Sequence, residues 1–240
     1  MRARTIISIG LLVTIAAVWL LTLPVLKIVL HVDDVQLPAT PAAGEKSSPE
    51  HVRVPLSRVS TRMCQAILSA EDRHFYEHHG VDPFGLLRAS IDNWKAGHMV
   101  EGASTITQQL AKVMFLDQRE RTAERKLKQL IIADQLEQRY SKDRILETYL
   151  NEIYFGRGAY GIENAAQKYF AVPASKLSLA QSAFLAGLVR RPSDLGSPAR
   201  LEEATERQHQ VLDNMMQCGY ITADDAAAAK DEKLKFRGGR

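Results

Sequence analysis

Residues 122–153 read TAERKLKQLIIADQLEQRYSKDRILETYLNEI, and the fold class follows from the spacing of their apolar residues. Leu127, Leu130, Ile131 and Leu136 follow helical spacing in the segment from Thr122 to Tyr140. Ile145, Leu146, Tyr149, Leu150 and Ile153 repeat the pattern in the next segment, and Ser141 between them carries a hydroxyl suited to capping a helix start. Further along, Ser178-Leu179-Ala180-Gln181 has capping-box spacing ahead of the apolar run Ala183 to Val189. Pro192 punctuates the end of that helix, and Gly219 closes another that starts near Leu201. Toward the N-terminus the helical pattern reaches back to Ser60, and before it Val52, Val54 and Val59 allow one short strand. There is no internal repeat and no strand–helix alternation of the kind a parallel sheet needs. The spacing predicts a mainly α domain over residues 51–240.

The composition of the 240-residue chain, 45% hydrophobic and 25% charged, is that of a folding chain of one or two domains. Thirty-one Lys and Arg against 28 Asp and Glu leave a net charge of +3 without long one-sign runs, so no nucleic-acid partner is expected. Cys64 and Cys218 lie far apart with no C-x-x-C, which supports neither a zinc site nor a thioredoxin-like pair. A disulfide and two separate core thiols both stay open.

Thr5 to Leu26 holds no charged residue, and a helix of that length covers roughly 33 Å against a hydrocarbon core of roughly 30 Å. The competing reading, a cleaved signal peptide, expects an apolar core of only about 7–15 residues. Residues 5–26 are therefore read as a transmembrane anchor after a short cytoplasmic N-terminus, 1–4. Arg2 and Arg4 precede the span, and Lys27, Asp33 and Asp34 follow it, which places the rest of the chain outside by the positive-inside bias. Residues 27–50, with Pro38, Pro41 and Pro49 and no regular period, read as a linker.

Two clusters carry chemistry. The first is Glu71-Asp72-Arg73-His74-Phe75-Tyr76-Glu77-His78-His79-Gly80-Val81-Asp82. His74 and His78 at i, i+4 would suit a metal, but the acid between them is not placed as in H-E-x-x-H, so metalloprotease chemistry is disfavoured. Glu71 follows the apolar run Ala66-Ile67-Leu68, where partial burial would raise its pKa and favour work as a base. The second cluster is Gly102-Ala103-Ser104-Thr105-Ile106-Thr107-Gln108-Gln109-Leu110-Ala111-Lys112. Thr105, Gln109 and Lys112 share one helix face, a row of hydroxyl, amide and ammonium groups that suits a sugar or phosphate as well as it suits a capped surface helix.

These clusters, in this order, resemble the family 51 glycosyltransferases, the peptidoglycan polymerases found alone or as the first domain of class A penicillin-binding proteins. The similarity runs from roughly Pro55 to Ile221 and includes five ordered blocks. Glu71-Asp72-Arg73-His74-Phe75 with His78, Gly80 and Asp82 forms the first, and Gly102 to Leu110 with Lys112 the second. Arg125-Lys126 opens the third, followed by Tyr140-Ser141-Lys142, Ile145-Leu146-Glu147, Tyr149-Leu150-Asn151, Phe155-Gly156 and Gly158 to Glu163, while Leu177 to Pro192 carries the last.

The resemblance implies a lysozyme-like helical lobe with a smaller membrane-proximal lobe, and an activity: polymerisation of lipid II into glycan strands with release of undecaprenyl pyrophosphate. In that scheme Glu71 is the general base, and Lys112 and Arg125 face the pyrophosphate, where fixed cations stabilise developing charge. Asp72, Phe75, His78, Ser104, Thr105, Gln109 and Lys126 complete the implied substrate-binding set. Lipid II, the growing strand, membrane lipid and other wall-synthesis proteins are the implied partners, and the inner, cytoplasmic membrane the implied location, with the catalytic domain periplasmic or extracellular.

The sharpest departure is at position 129, where the family pattern Arg-Lys-x-x-Glu becomes Arg125-Lys126-Leu127-Lys128-Gln129. Gln129 shares a helix face with Arg125, but a neutral amide cannot hold magnesium or manganese, or balance the cations, as a carboxylate would. No cofactor is assigned, a divalent metal such as magnesium or manganese stays open but is disfavoured by Gln129, and the alternative function is a catalytically impaired homologue that binds lipid II or scaffolds wall synthesis. A lytic enzyme of lysozyme-like architecture would leave the cations without a role. No Ser-x-x-Lys followed by Lys-Thr-Gly appears, so no transpeptidase half is expected in this chain. Trp94 and Met99, ahead of Gly102, are the expected membrane contact.

Overall fold

The computed structural model describes residues 30, 32–39, 46–48, 51–83, 85, 104–117, 120 and 122–238. The expected anchor at residues 5–26 and the Trp94–Met99 contact lie outside them. Among the described residues no helix is long and apolar enough to cross a membrane.

The chain is mainly helical, as the apolar periodicity requires. Its helices are α1 (Thr61–Glu71), α2 (Ile106–Phe115), α3 (Ala123–Arg139), α4 (Lys142–Glu152), α5 (Ile162–Phe170), α6 (Leu179–Leu188), α7 (Pro192–Leu195), α8 (Leu201–Gln217) and α9 (Ala223–Asp231). The starts are capped where the side chains allow it. Thr122 accepts from the Arg125 N–H, Ser141 from Arg144, and Ser178 with Gln181 closes a reciprocal capping box. Gly219, at φ +73°, turns the chain after α8.

Two sets of helices pack around the core: α1, α6 and α8 against one another, and α2 against α3 and α4. Helix α6 is buried at Ala180 and from Ser182 through Leu188, as a helix apolar on nearly every side must be. The α1 C-terminus and the α2 N-terminus bring the two sets together, and both chemical clusters lie there.

A two-stranded antiparallel sheet joins β1 (Lys46–Ser48) to β2 (His51–Val52). Of the three valines expected to share a strand, only Val52 does. The Val54 N–H and C=O are taken by the Asn151 side chain, at 2.9 and 2.8 Å, which replaces a strand partner. Part of the expected linker is also fixed to the domain. Val32, Val35 and Leu37 are buried, Gln135 Oε1 accepts from the Val35 N–H at 3.3 Å, and the Tyr140 hydroxyl accepts from the Leu37 N–H at 3.0 Å. At the other end, Phe236 stacks on Phe170 with ring centroids 5.5 Å apart and meets Phe184 edge-on at 5.2 Å.

Candidate active site

Glu71 ends α1, half-buried, and its Oε2 accepts from Gln109 Nε2 at 2.8 Å. Gln109 Oε1 in turn accepts from the Tyr149 hydroxyl at 3.0 Å. Burial holds the Tyr149 pKa well above its ordinary value, so its hydroxyl keeps its proton and points the amide oxygen toward itself. The amide nitrogen is left to face the carboxylate. Burial raises the Glu71 pKa, and the Gln109 hydrogen bond and the charges of Arg207 and Arg190 pull it back in part. Those two arginines, from α8 and from just beyond α6, were not identified in the sequence. Arg190 falls within the last block, Leu177 to Pro192, but nothing in its spacing marked it for the site, Arg207 lies in no block, and only folding carries them to Glu71.

Asp72 turns inward. Its buried carboxylate accepts from the Ile106 N–H in the first turn of α2 at 3.0 Å, and both its oxygens lie 3.0 Å from His78 Nε2. The residue beside the candidate base therefore ties α1 to α2. Asp72 and His78, expected to line the cleft, are buried in this tie instead. His74 pairs with Asp82 at 3.7 Å, so the two histidines do not converge on a metal position.

Phe75 is likewise in the core, with Lys142 Nζ 4.5 Å from its ring centroid. Thr105, expected to face a ligand, has its hydroxyl committed: it donates to Gly80 O at 2.7 Å and accepts from the Gln108 N–H at 3.2 Å as the α2 cap. Asp72, Phe75 and Thr105 each meet a partner distant in sequence, at Ile106, Lys142 and Gly80.

The cationic end differs. Lys126 Nζ donates to Gln108 Oε1 at 3.0 Å and to Ser104 Oγ at 3.3 Å. Burial lowers its pKa, and the neighbouring charges of Arg125 and Lys112 lower it further. Three cations are thus held close together. Arg125 Nε and Nη1 are buried without a hydrogen-bond partner among the described residues. A guanidinium left unsatisfied beside two further cations suits an anion that brings its own oxygens.

Gln129 is buried between α2 and α3, and its Nε2 donates to the Gln108 carbonyl at 2.6 Å. The amide therefore does what a carboxylate could not: it offers a proton to a helix carbonyl. This donor set does not fit a divalent ion, because its one turned-in group donates and the nearby charges are positive. Cys64 and Cys218 are separate thiols, and burial pushes the Cys64 thiol up to about 11.

A family model described as Transglycosylase matches residues 40–216. Penicillin-binding protein 1A of Aquifex aeolicus (strain VF5) is 43% identical over 184 residues, covering 77% of this chain and 25% of its own length. Penicillin-binding protein 1A of Escherichia coli (strain K12) is 42% identical over 191 residues, covering 80% of this chain and 22% of its own. A crystal structure of Penicillin-Binding Protein 1A from Haemophilus influenzae overlays on 79% of this chain and 19% of its own at 23% identity, with a TM-score of 0.45. The chain spans about a quarter of the length of the curated relatives it matches. It belongs to the transglycosylase family, the glycosyltransferase domain type found in class A penicillin-binding proteins.

Proposed function

We propose that this member of the transglycosylase family polymerises lipid II into glycan strands, with Glu71 as general base. The observation that carries the reading is the pairing of two ends of one polar seam. A carboxylate oriented by Gln109 sits at one end, and a guanidinium with two nitrogens unsatisfied among the described residues at the other. In this scheme Glu71 takes the proton from the 4-hydroxyl of the acceptor sugar as that oxygen attacks the anomeric carbon of the growing chain. The lipid pyrophosphate leaves toward Arg125, Lys112 and Lys126, whose charges offset the negative charge it gains. A carboxyl with a pKa raised toward the working pH is the stronger base for this step, and burial supplies that shift.

The remaining parts follow from the substrate. A lipid-linked donor calls for a domain held at the membrane, so residues 5–26 anchor it, 27–50 connect it and 51–240 carry catalysis outside the cytoplasmic membrane, in a lysozyme-like lobe and a smaller membrane-proximal one. Ser104 and Lys112, with Gln109 and Lys126, are the groups left near the seam for substrate.

The second reading, a non-catalytic homologue that binds lipid II, rests on Gln129 alone. Labelled lipid II and the detergent-solubilised full chain separate the two. Polymer from wild type, with about 10²–10⁴-fold less from Glu71→Gln and binding retained, is the expected result. Binding without polymer in the wild type overturns the polymerase and leaves the binding homologue.

A further inference from the structure

A cavity lies away from the Glu71 seam, beside the turn that follows α4. The hairpin between α4 and α5 closes through Phe155 N–H to Ala159 O at 2.9 Å and Gly161 N–H to Ile153 O at 2.9 Å. Three consecutive residues at its tip, Gly156, Arg157 and Gly158, have φ of +88°, +54° and +72°. Arg157 is thus a non-glycine residue in the left-handed region, a conformation that persists only where the surroundings impose it. They do so here by close packing. A Cβ on Gly156 would stand 2.3 Å from Pro192 O and 2.9 Å from the Tyr169 hydroxyl, so the turn is seated against α5 and α7 and is not free to relax.

The turn holds the Arg157 guanidinium 5.2 Å from the centroid of the Tyr169 ring, at the mouth of a cavity of about 300 Å³. Tyr169, Phe184 and Phe236 supply aromatic walls, Leu201 lies at the rim, and Arg237 gives a second guanidinium. The chain end forming that wall is pinned, with Arg237 N–H donating to Tyr169 O at 2.7 Å and Nη1 to Gln167 O at 3.3 Å. Among the described residues no carboxylate lines the cavity, and the Arg157 guanidinium lies over the Tyr169 ring. Two cations beside an apolar, aromatic pocket, with no acid to neutralise them, complement a ligand of opposite make-up.

We propose that this cavity binds a carboxylate carried on a compact apolar or aromatic group, with the carboxylate on Arg157 and Arg237 and the apolar body against Tyr169, Phe184 and Phe236. A planar carboxylate matches the guanidinium fork, and the cavity is at the small end of ligand pockets, the scale of one acylated apolar amino acid. A free acid and the C-terminal residue of a peptide share this chemistry. The inference does not depend on the polymerase reading, because no residue of the seam takes part.

The test is calorimetric titration of the solubilised full chain with N-acetyl-phenylalanine, its carboxamide and acetyl-Ala-Ala-Phe acid. Saturable binding of the acid, at least tenfold weaker for the carboxamide and at least tenfold weaker to Arg157→Gly, is expected. Glycine accepts the positive φ without strain, so that variant removes the guanidinium and keeps the turn. Leu201→Trp, at the rim, should also block the site and guards against a misfolded hairpin variant. Comparable binding of the tripeptide would assign a peptide end, and binding of the single residue alone a free acid. No saturable binding, equal binding of the carboxamide, or undiminished binding to folded Arg157→Gly or Leu201→Trp overturns the proposal.

Discussion

At the Glu71 end of the seam the candidate base and the carboxylate beside it are already hydrogen-bonded, whereas at the Arg125 end the principal cation has no partner among the described residues. Asp72 holds Ile106 and His78, and Tyr149 aims Gln109 at Glu71. Arg125 keeps two buried nitrogens unsatisfied among the described residues. The difference teaches how one site serves two needs. A base works best when its position is settled before substrate arrives, because orienting it later costs free energy at the moment of reaction. A cation meant for a ligand anion must stay uncommitted, because an internal carboxylate would compete for it.

The most direct way to break the settled end is Asp72→Ala. It leaves the Ile106 N–H and His78 Nε2 buried and unpaired, and each lost partner should cost roughly 1–3 kcal/mol, read as a lower midpoint in denaturant unfolding with the slope unchanged. At the open end, Arg125→Ala removes no hydrogen bond that Nε or Nη1 makes among the described residues. It should leave the unfolding midpoint nearly in place while weakening inhibition by inorganic pyrophosphate about 10–100-fold, the worth of a charge-assisted contact of about 1.5–3 kcal/mol. A large loss of stability in Arg125→Ala would show that both ends are built alike.

Gln129→Glu sharpens the contrast further. A carboxylate placed where Nε2 now donates would set oxygen against the Gln108 carbonyl, so the folded state should hold the new acid protonated, with a raised pKa. The sign follows: near pH 4 and below, the variant should approach wild-type stability, and as pH rises above the ordinary glutamate value of about 4.3 it should lose about 1–3 kcal/mol. Thermal unfolding across pH 4–8 measures it, and a variant more stable at neutral pH would refute the donor role of Gln129.

The smallest effect is expected from Tyr149→Phe. Without the hydroxyl, the Gln109 amide loses its fixed orientation and its hold on ionised Glu71 weakens. Because that hydrogen bond lowers the Glu71 pKa, its loss should move the acid limb of the pH–rate profile upward by roughly one unit or less. Activity would then fall away at a higher pH than in wild type as the base protonates. In a Gln109→Ala background the same substitution should add nothing, and an additive shift would show that Tyr149 acts by another route.

Much of the fold could be read directly. Leu127, Leu130, Ile131 and Leu136 announced α3 to within a residue of its ends, and Ser141 and Ser178 capped the helices their positions implied. Legibility ended where satisfaction of a polar group depended on a distant partner. Val54 left the expected strand because Asn151 bonds its backbone. Arg207 gave no signal at all, because an isolated arginine on a helical stretch looks the same whether it faces solvent or a buried carboxylate, and Arg190, though inside the Leu177–Pro192 block, had nothing in its spacing to tie it to Glu71.

What the sequence by itself determined is therefore the set of helices and the identity of the chemistry. Helix periods and caps are local, within three or four residues, and the motif residues Glu71, Gln109, Lys112 and Arg125 carry their functional groups wherever they are placed. Only the tertiary structure decided which of those groups remain available. Gln109 reaches Glu71 across 38 positions and Tyr149 reaches Gln109 across 40, while Asp72 is spent on a helix start 34 residues away. A buried polar group must find a partner or incur the full cost of desolvation, and in a folded chain that partner is set by packing in space, to which order along the chain gives no guide.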